Sequence, residues 1–360
     1  MRKKILFAAH SLDVGGIEKS LVTLANELAN NEFDVTIVLE RKQGLFLQEL
    51  DKNINVIEYR VSENKNVVLR KIKNLYLRTK FIFKYKNKFD FSACYATYSL
   101  PSAFVGRVAS KNTAIWGHAD YLTLYNGNEK EMKNFFIKRH ISKFNHIIFV
   151  SNEGKESFLK VFPNLESKVI QCNNLINYKK VQNLANMECA VERDESICTF
   201  VNIGRHEEHQ KKLTRLLEAC SKLANENIQF RLLLVGDGPD NQLYRNIVKE
   251  KGLEKNVFFY GFQSNPYPFY KISDCIILTS EYEGYPVVFL ESFILKKPII
   301  TTKVSDYNNV ENKYGYTTEK SSDDIYSKMK KFVNEGYEIK ESFDPEKYNE
   351  NILNKLNSIF

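Results

Sequence analysis

The sequence predicts an α/β protein built from two doubly wound halves, and three features carry that expectation. Short apolar strands alternate with helical stretches, as folds with parallel sheets require. The alternation restarts after a polar, asparagine-rich stretch near the middle of the chain. The 360 residues exceed one ordinary core and suit two domains of average size.

In the first half the strand candidates are Lys4–His10, Asp34–Glu40, Ile54–Tyr59, Phe91–Ala96, Thr113–His118 and His146–Ser151. Between the first two, Ile17, Leu21, Leu24 and Leu28 recur at helical spacing. The second half resumes with Ile197–Gly204, Phe230–Gly238, Asn256–Phe262, Asp274–Ser280 and Pro298–Thr302. Residues 172–195 are weakly patterned and are read as a linker between a first domain (1–171) and a second (196–344). The last stretch, Pro345–Phe360, reads as a short amphipathic helix with Ile352, Leu353, Leu356 and Ile359 on one face. Two nucleotide-binding-type halves with a cleft between them form the expected architecture.

Composition narrows the class. With 43% apolar and 27% charged residues, the chain is globular rather than disordered or fibrous. No apolar run approaches the ~18–20 residues that span a bilayer. The N-terminal MRKKILFAAHSL imitates a signal peptide, yet His10, Asp13 and a Gly-Gly pair break it and no small-residue cleavage site follows, so it reads as a first buried strand. Six cysteines without a C-x-x-C pair or regular spacing favour a reducing compartment over a zinc site or disulfide framework. Charge is uneven: residues 1–171 hold 27 Lys/Arg against 17 Asp/Glu, and the remainder 25 against 27. The basic half is expected to face something anionic.

Three constellations carry candidate chemistry. Gly15 and Gly16 follow the first strand and open a helix, where backbone can approach a ligand and helix N–H groups meet an anion; a purely structural turn is the plainer reading. The dinucleotide pattern G-x-G-x-x-G is missing from the sequence. In VNIGRHEEHQKKL, Arg205 follows a strand end and Lys211 lies near the next helix, the edge where doubly wound folds bind ligands. Such cations suit a diphosphate leaving group, whose negative charge grows as the bond breaks; the plainer alternative is a solvated loop. In SEYEGYPVVFLES, Glu283 precedes the turn Gly284-Tyr285-Pro286, and Glu291 lies in the helix beyond. The two carboxylates could grip a hexose and a ribose, with the turn's N–H groups facing phosphates between them.

His118 ends a strand, a place where histidine is more often structural than catalytic. His10, His140 and His146 draw no role from pattern, and His206 and His209 read as loop residues rather than metal ligands. No Asp-x-Asp occurs, so no cofactor is expected and the electrostatics are expected to be independent of metal. Residues 65–88 hold nine basic residues and no acidic one, interleaved with apolar side chains. Part of that apolar set is expected to pack on the domain. The cations Arg70, Lys71, Lys73, Arg78, Lys80 and Lys84 are expected to face an anionic membrane surface.

GGIEKS after the first strand, GR…QKKL in the second half, VGDGP, YGF and the Glu283-x7-Glu291 spacing resemble glycosyltransferase family 4, over nearly the whole chain from Lys4 to about Thr318. The resemblance implies a retaining enzyme with the GT-B fold, two Rossmann-like domains facing a cleft and a C-terminal helix (345–360) crossing back to the N-terminal acceptor domain. It also implies that Gly16 approaches the donor phosphates, Arg205 and Lys211 hold the diphosphate, and His118 contacts the transferred sugar. Glu283 would bind sugar hydroxyls and Glu291 the ribose. Within the family the likeness is to bacterial capsule and cell-surface polysaccharide transferases, which suggests a UDP-sugar donor and a saccharide, lipid-linked acceptor at the cytoplasmic face of the membrane. The sequence departs from the family at Lys297, where many members have glycine before the last strand's proline, and at VSDYNNVE, which lacks a glycine-rich turn. Both are expected near the donor cleft. A GT-B sugar-nucleotide epimerase would need further acids and bases, and a non-catalytic subunit has no need of Arg205, Lys211, Glu283 and Glu291. No nucleic-acid recognition motif accompanies the basic half.

Overall fold

The structure is a computed structural model, and it describes residues 2–13, 15–31 and 33–360. The chain divides into two compact units, one of Met1–Ile176 with Lys347–Phe360, the other of Asn177–Glu346.

Unit 1 runs β1 (Lys4–Ala9), α1 (Gly16–Asn30), β2 (Asp34–Leu39), β3 (Asn55–Glu58), α2 (Val67–Tyr85), β4 (Phe91–Cys94) and α3 (Leu100–Val108). It continues with β5 (Thr113–Gly117), α4 (Tyr121–Leu124), α5 (Glu129–Lys138), β6 (His146–Phe149), α6 (Asn152–Val161) and β7 (Val169–Gln171). Unit 2 holds α7 (Tyr178–Ala185), β8 (Cys198–Ile203), α8 (Glu208–Lys211), α9 (Leu213–Asn225), β9 (Phe230–Val235), α10 (Asn241–Glu250) and β10 (Val257–Gly261). Then come α11 (Tyr267–Ile272), β11 (Cys275–Leu278), α12 (Val287–Ile294), β12 (Ile299–Thr302), β13 (Gly315–Thr318) and α13 (Ser322–Glu335), and the last helix, α14 (Pro345–Asn357), belongs from Lys347 onward to unit 1.

Each unit has one all-parallel sheet, ordered β3-β2-β1-β4-β5-β6-β7 in unit 1 and β10-β9-β8-β11-β12-β13 in unit 2. Ile5 to Ala8 in β1 and Leu232 to Leu234 in β9 are fully buried, as strands covered by helices on both faces must be. The order reverses between β1 and β4 in unit 1 and between β8 and β11 in unit 2. Crevices at the carboxyl ends of such strand pairs are where doubly wound sheets bind ligands.

The eleven strands expected from sequence are present. β7 and β13 were not anticipated, because VIQ and GYTT are short, half-buried and without an apolar run. The stretch 172–195 is more ordered than a linker: α7 buries Val181 and Ala185, and the Asn265 amide donates to Leu184 O at 3.0 Å. The division between units falls at Ile176/Asn177. In unit 1, α14 buries Ile352 and Leu356, and Phe360 packs its ring against Phe91 and Phe33 at centroid distances of 4.7 and 5.7 Å.

Helix α2 has two faces. Phe81 is its single buried residue and packs with Tyr59, Phe104 and Tyr85. On the opposite face Val68, Ile72, Leu75, Tyr76 and Phe83 recur at helical spacing, and all are exposed, Phe83 by 94%. Phe81 is the part of this apolar set that packs on the domain, while the stripe lies exposed on the opposite face of the helix.

Candidate functional site

In unit 2 the site grows from the two strands that flank the reversal. Asn202 at the end of β8 donates its amide to Ile277 O of β11 at 2.8 Å, tying the strand ends together. The loops that follow are stitched in the same way. Glu281 N donates to Gln210 O at 2.7 Å, and Thr279 Oγ1 donates to Lys211 O at 3.0 Å. Lys212, in left-handed backbone with φ 50°, ends α8 and starts α9. That turn points Lys211 back over Gly204, where a Cβ would sit 3.4 Å from Lys211 Cε.

Lys211 Nζ lies 2.6 Å from Glu283 Oε1, and the two side chains are only 16% and 10% exposed. Ser280 Oγ donates to the same carboxylate oxygen at 2.6 Å, and Gln210 Nε2 to Oε2 at 3.3 Å. Ser305 Oγ donates to Glu283 O at 2.7 Å. Sequence reading had placed Lys211 with Arg205; the structure joins it instead to Glu283, because the short α8 returns the chain toward β11. Arg205 is 60% exposed, its guanidinium 3.4 Å from Glu207.

The Gly284-Tyr285-Pro286 turn leads into α12, with Tyr285 buried and Pro286 as the residue before the first helical position. No side chain caps this helix and no acidic residue stands in its first turn, so its leading N–H groups suit an anion. Further along, Glu291 is 4% exposed and accepts hydrogen bonds from Tyr270 OH at 2.6 Å and Tyr267 OH at 3.1 Å. Burial and the adjacent carboxylate push the Tyr270 hydroxyl well above its usual pKa, so it stays a donor. Glu283 is thus held by a cation, a hydroxyl and an amide, and Glu291 by two tyrosine hydroxyls.

Two expectations about departures from the family resolve differently. Lys297 is not near the strands' carboxyl ends. It precedes β12, and its ammonium donates to Lys271 O and Ser273 O at 2.9 and 2.8 Å, closing the end of α11. The loop after β12 does stand by the site, and Asp306 adopts the left-handed conformation (φ 58°) that a glycine would take there. Aspartate tolerates that region better than most residues. His206 is a loop residue, as expected, and a buried one: its Nδ1 meets the Asn241 side-chain oxygen, and Tyr244 and Phe259 pack its ring. No cluster of three or more His, Cys, Asp and Glu fit for a metal lies among the described residues.

In unit 1, Gly15 precedes α1 with extended backbone and no side-chain cap, and a Cβ on Gly16 would meet nothing within 4 Å. Space, not backbone strain, distinguishes Gly16. His118 Nε2 lies 3.0 Å from Tyr95 O, which can only accept, so Nε2 carries the proton and Nδ1 is left as an acceptor. Desolvation pushes this imidazole down to about 4, against the opposing pull of that carbonyl, and it is neutral at pH 7. The cations Arg70, Lys71, Lys73, Arg78, Lys80 and Lys84 all lie on exposed positions of α2. Arg78 also stands 5.4 Å from the Phe104 ring centroid, so it takes part in packing.

Sequence reasoning missed Ser280, Gln210, Ser305, Tyr267 and Tyr270. The tyrosines sit at i and i+3 on one helix face, but nothing in their spacing points to a carboxylate more than twenty residues away.

Two parallel-sheet, Rossmann-like units, the second with a lysine–glutamate pair at its sheet reversal, define a protein of the GT-B fold class. Solved structures agree: TarM superposes with a TM-score of 0.75 at 16% identity, covering 100% of this chain and 99% of that one. HepE of Anabaena, solved with UDP and glucose, superposes with a TM-score of 0.74 at 17% identity, covering 99% and 100%. Residues 191–350 match the family model described as "Glycosyl transferases group 1". An uncharacterized glycosyltransferase of Methanocaldococcus jannaschii is 28% identical over 170 residues, 46% of this chain and 41% of that protein. The capsular polysaccharide biosynthesis glycosyltransferase CapH of Staphylococcus aureus is 25% identical over 221 residues, 59% of this chain and 58% of its own length. The matched stretches thus span 41% and 58% of these two relatives.

Proposed function

We propose that this protein transfers a sugar from a nucleotide-sugar donor, a UDP-sugar, to a saccharide acceptor in surface-polysaccharide synthesis. The observation that carries the reading is the Lys211–Glu283 pair at the reversal of the unit 2 sheet, inside the stretch that matches the family. The name of CapH and the UDP in HepE support the pathway and the donor base.

In this reading the donor's diphosphate lies against the N-terminus of α12, the Arg205 guanidinium and the Lys211 ammonium. Glu283, held by Lys211 and Ser280, accepts hydrogen bonds from hydroxyls of the transferred sugar. Glu291 takes the ribose while Tyr267 and Tyr270 hold its carboxylate. Gly16 leaves space for phosphate, and neutral His118 offers Nδ1 to a sugar hydroxyl. Reaction proceeds with retention: the acceptor oxygen bonds to the anomeric carbon on the face the phosphate leaves, and the departing phosphate oxygen takes the acceptor's proton. Slow hydrolysis and thermal shift over UDP-, GDP- and ADP-sugars test the donor; stronger stabilisation by GDP than by UDP would exclude uracil. NMR of the product's anomeric proton tests retention, and a β linkage from an α donor excludes it.

Membrane attachment is the second part of the proposal, and the exposed stripe of α2 supports it. Val68, Ile72, Leu75, Tyr76 and Phe83 form an apolar band flanked by lysines and arginines, with no acidic residue on the helix. That is the composition of an interfacial helix on an anionic leaflet. Each basic residue near such a surface contributes about 1 kcal/mol, so a few suffice for reversible attachment. It would bring the protein to a lipid-linked acceptor.

A further inference from the structure

Two residues before Glu283, the loop after β11 is gripped from several sides at Glu281. Glu281 N donates to Gln210 O, next to Lys211 in the chain, at 2.7 Å. Its carbonyl oxygen accepts from Lys320 Nζ. Its carboxylate accepts from Arg215 Nη2 at 2.5 Å, and Lys320 Nζ lies 3.4 Å from the other oxygen. Arg215 belongs to the first turn of α9 and Lys320 follows β13, so one carboxylate ties together three segments distant in sequence.

The clasp depends on Glu281. Among the described residues no other carboxylate pairs with either cation. The Arg215 side chain is 15% exposed, and its Nη1 is buried without a hydrogen-bond partner, so Glu281 is what orients the guanidinium. Burial pushes the Glu281 carboxyl upward, but the Arg215 hydrogen bond and the charges of Lys320 and Arg215 outweigh it and hold the group below its usual range. The clasp is therefore ionised at neutral pH.

Both neighbours of Glu281 along the loop serve the site. Ser280 Oγ donates to Glu283 Oε1, and Ser280 O accepts from Thr302 Oγ1 at 2.7 Å. Beyond Tyr282 comes Glu283 itself, 2.6 Å from Lys211. A shift at Glu281 carries Ser280 and Glu283 with it, and a misplacement of about 1 Å near reacting atoms can cost about a hundredfold in rate.

We propose that Glu281, clasped between Arg215 and Lys320, is a positioning residue that keeps Glu283 and Lys211 paired and so sets the carboxylate that meets the transferred sugar. The proposal deepens the transferase reading, and rests on it only for the meeting of Glu283 with the sugar. Glu281 touches no substrate in this arrangement and acts through Glu283.

Amine labelling of the full chain with acetic anhydride, read at Lys211 by mass spectrometry, tests the pairing without any need for activity. Lys211, 16% exposed and paired, should label slowly in wild type. Glu281→Ala should speed its labelling about tenfold, while Lys222 and Lys330, paired elsewhere, keep their native rates and exclude global unfolding. Lys320→Met, at a partly exposed position, should raise Lys211 labelling about threefold and serves if the alanine variant does not fold. Wild-type labelling of Lys211 in Glu281→Ala, or in Lys320→Met where the alanine variant does not fold, overturns the proposal. A second readout is hydrolysis of a UDP-sugar. Glu281→Ala should lower kcat about tenfold and leave affinity for UDP, which lacks the sugar, within about twofold. In a Glu283→Gln background the same change should add little, because the two residues act as one unit. Equal losses in both backgrounds overturn the action through Glu283. Labelling that responds in a protein that hydrolyses no UDP-, GDP- or ADP-sugar removes the transferase reading alone. Hydrolysis with an unresponsive Lys211 removes the positioning role alone.

Discussion

Lys211 and Glu283 form a nearly buried ion pair with their charged atoms 2.6 Å apart, whereas Arg205, six residues earlier, projects into solvent. The two cations therefore answer differently to removal. Lys211→Ala strands a buried carboxylate and should cost unit 2 about 3 kcal/mol, while Arg205→Ala should change stability by less than about 0.5 kcal/mol. Both should lower kcat about a hundredfold, since each removes a charge beside the departing diphosphate. Urea unfolding beside turnover at saturating donor separates the effects. Native rates in both variants would remove the diphosphate role.

Helix α2 should bind phosphatidylglycerol vesicles at low salt and release them at high salt. The structure improves the choice of variants, because Arg78 packs on Phe104 and is better left in place. Changing Lys71, Lys73, Lys80 and Lys84 to Glu should abolish co-sedimentation. Phe83→Ser, at a 94% exposed position, should weaken it about tenfold without moving Tm. Equal binding to neutral vesicles would show that charge is not the attraction.

Acid should destabilise unit 1 through His118. Its folded-state pKa is pushed down to about 4, below the usual histidine value of about 6.5. Above pH 6.5 the ring is neutral in both folded and unfolded chains and adds no pH dependence. As pH falls toward 4 the unfolded chain takes a proton that the folded one refuses, so stability drops by about 3 kcal/mol, then levels off. Burial lowers His206 and His146 as well, so the acid limb is shared. The comparison of wild type with His118→Gln isolates one share: their stability difference at pH 7.5 should shrink toward pH 4. An unchanging difference would show that His118 titrates normally.

Lys297→Met should lower Tm and leave donor preference and donor KM within twofold. Its two carbonyl partners at the end of α11 would lose a charged donor, a cost of about 1–3 kcal/mol. A change of preferred donor would return this residue to the site.

The local pattern of the chain determined much of this protein. Uninterrupted apolar runs such as Ile5–Ala8 require cover on both faces, so parallel strands and intervening helices were legible, as were the places where Arg205 and Glu283 leave strand ends. Pairing between distant residues was not legible. Lys211 meets Glu283 because Lys212 turns left-handed after a four-residue helix, a backbone choice that no spacing announces. Glu291 is gripped by Tyr267 and Tyr270 only because the sheet order places non-consecutive elements side by side. The same holds for exposure. The sequence of α2 offers two apolar faces of equal merit, and only packing against Tyr59 and Phe104 decides that Phe81 turns inward and Phe83 faces solvent. Sequence specifies which side chains need burial or partners, and the tertiary fold decides which partner each one meets, since long-range contacts depend on sheet order and loop direction rather than on local period.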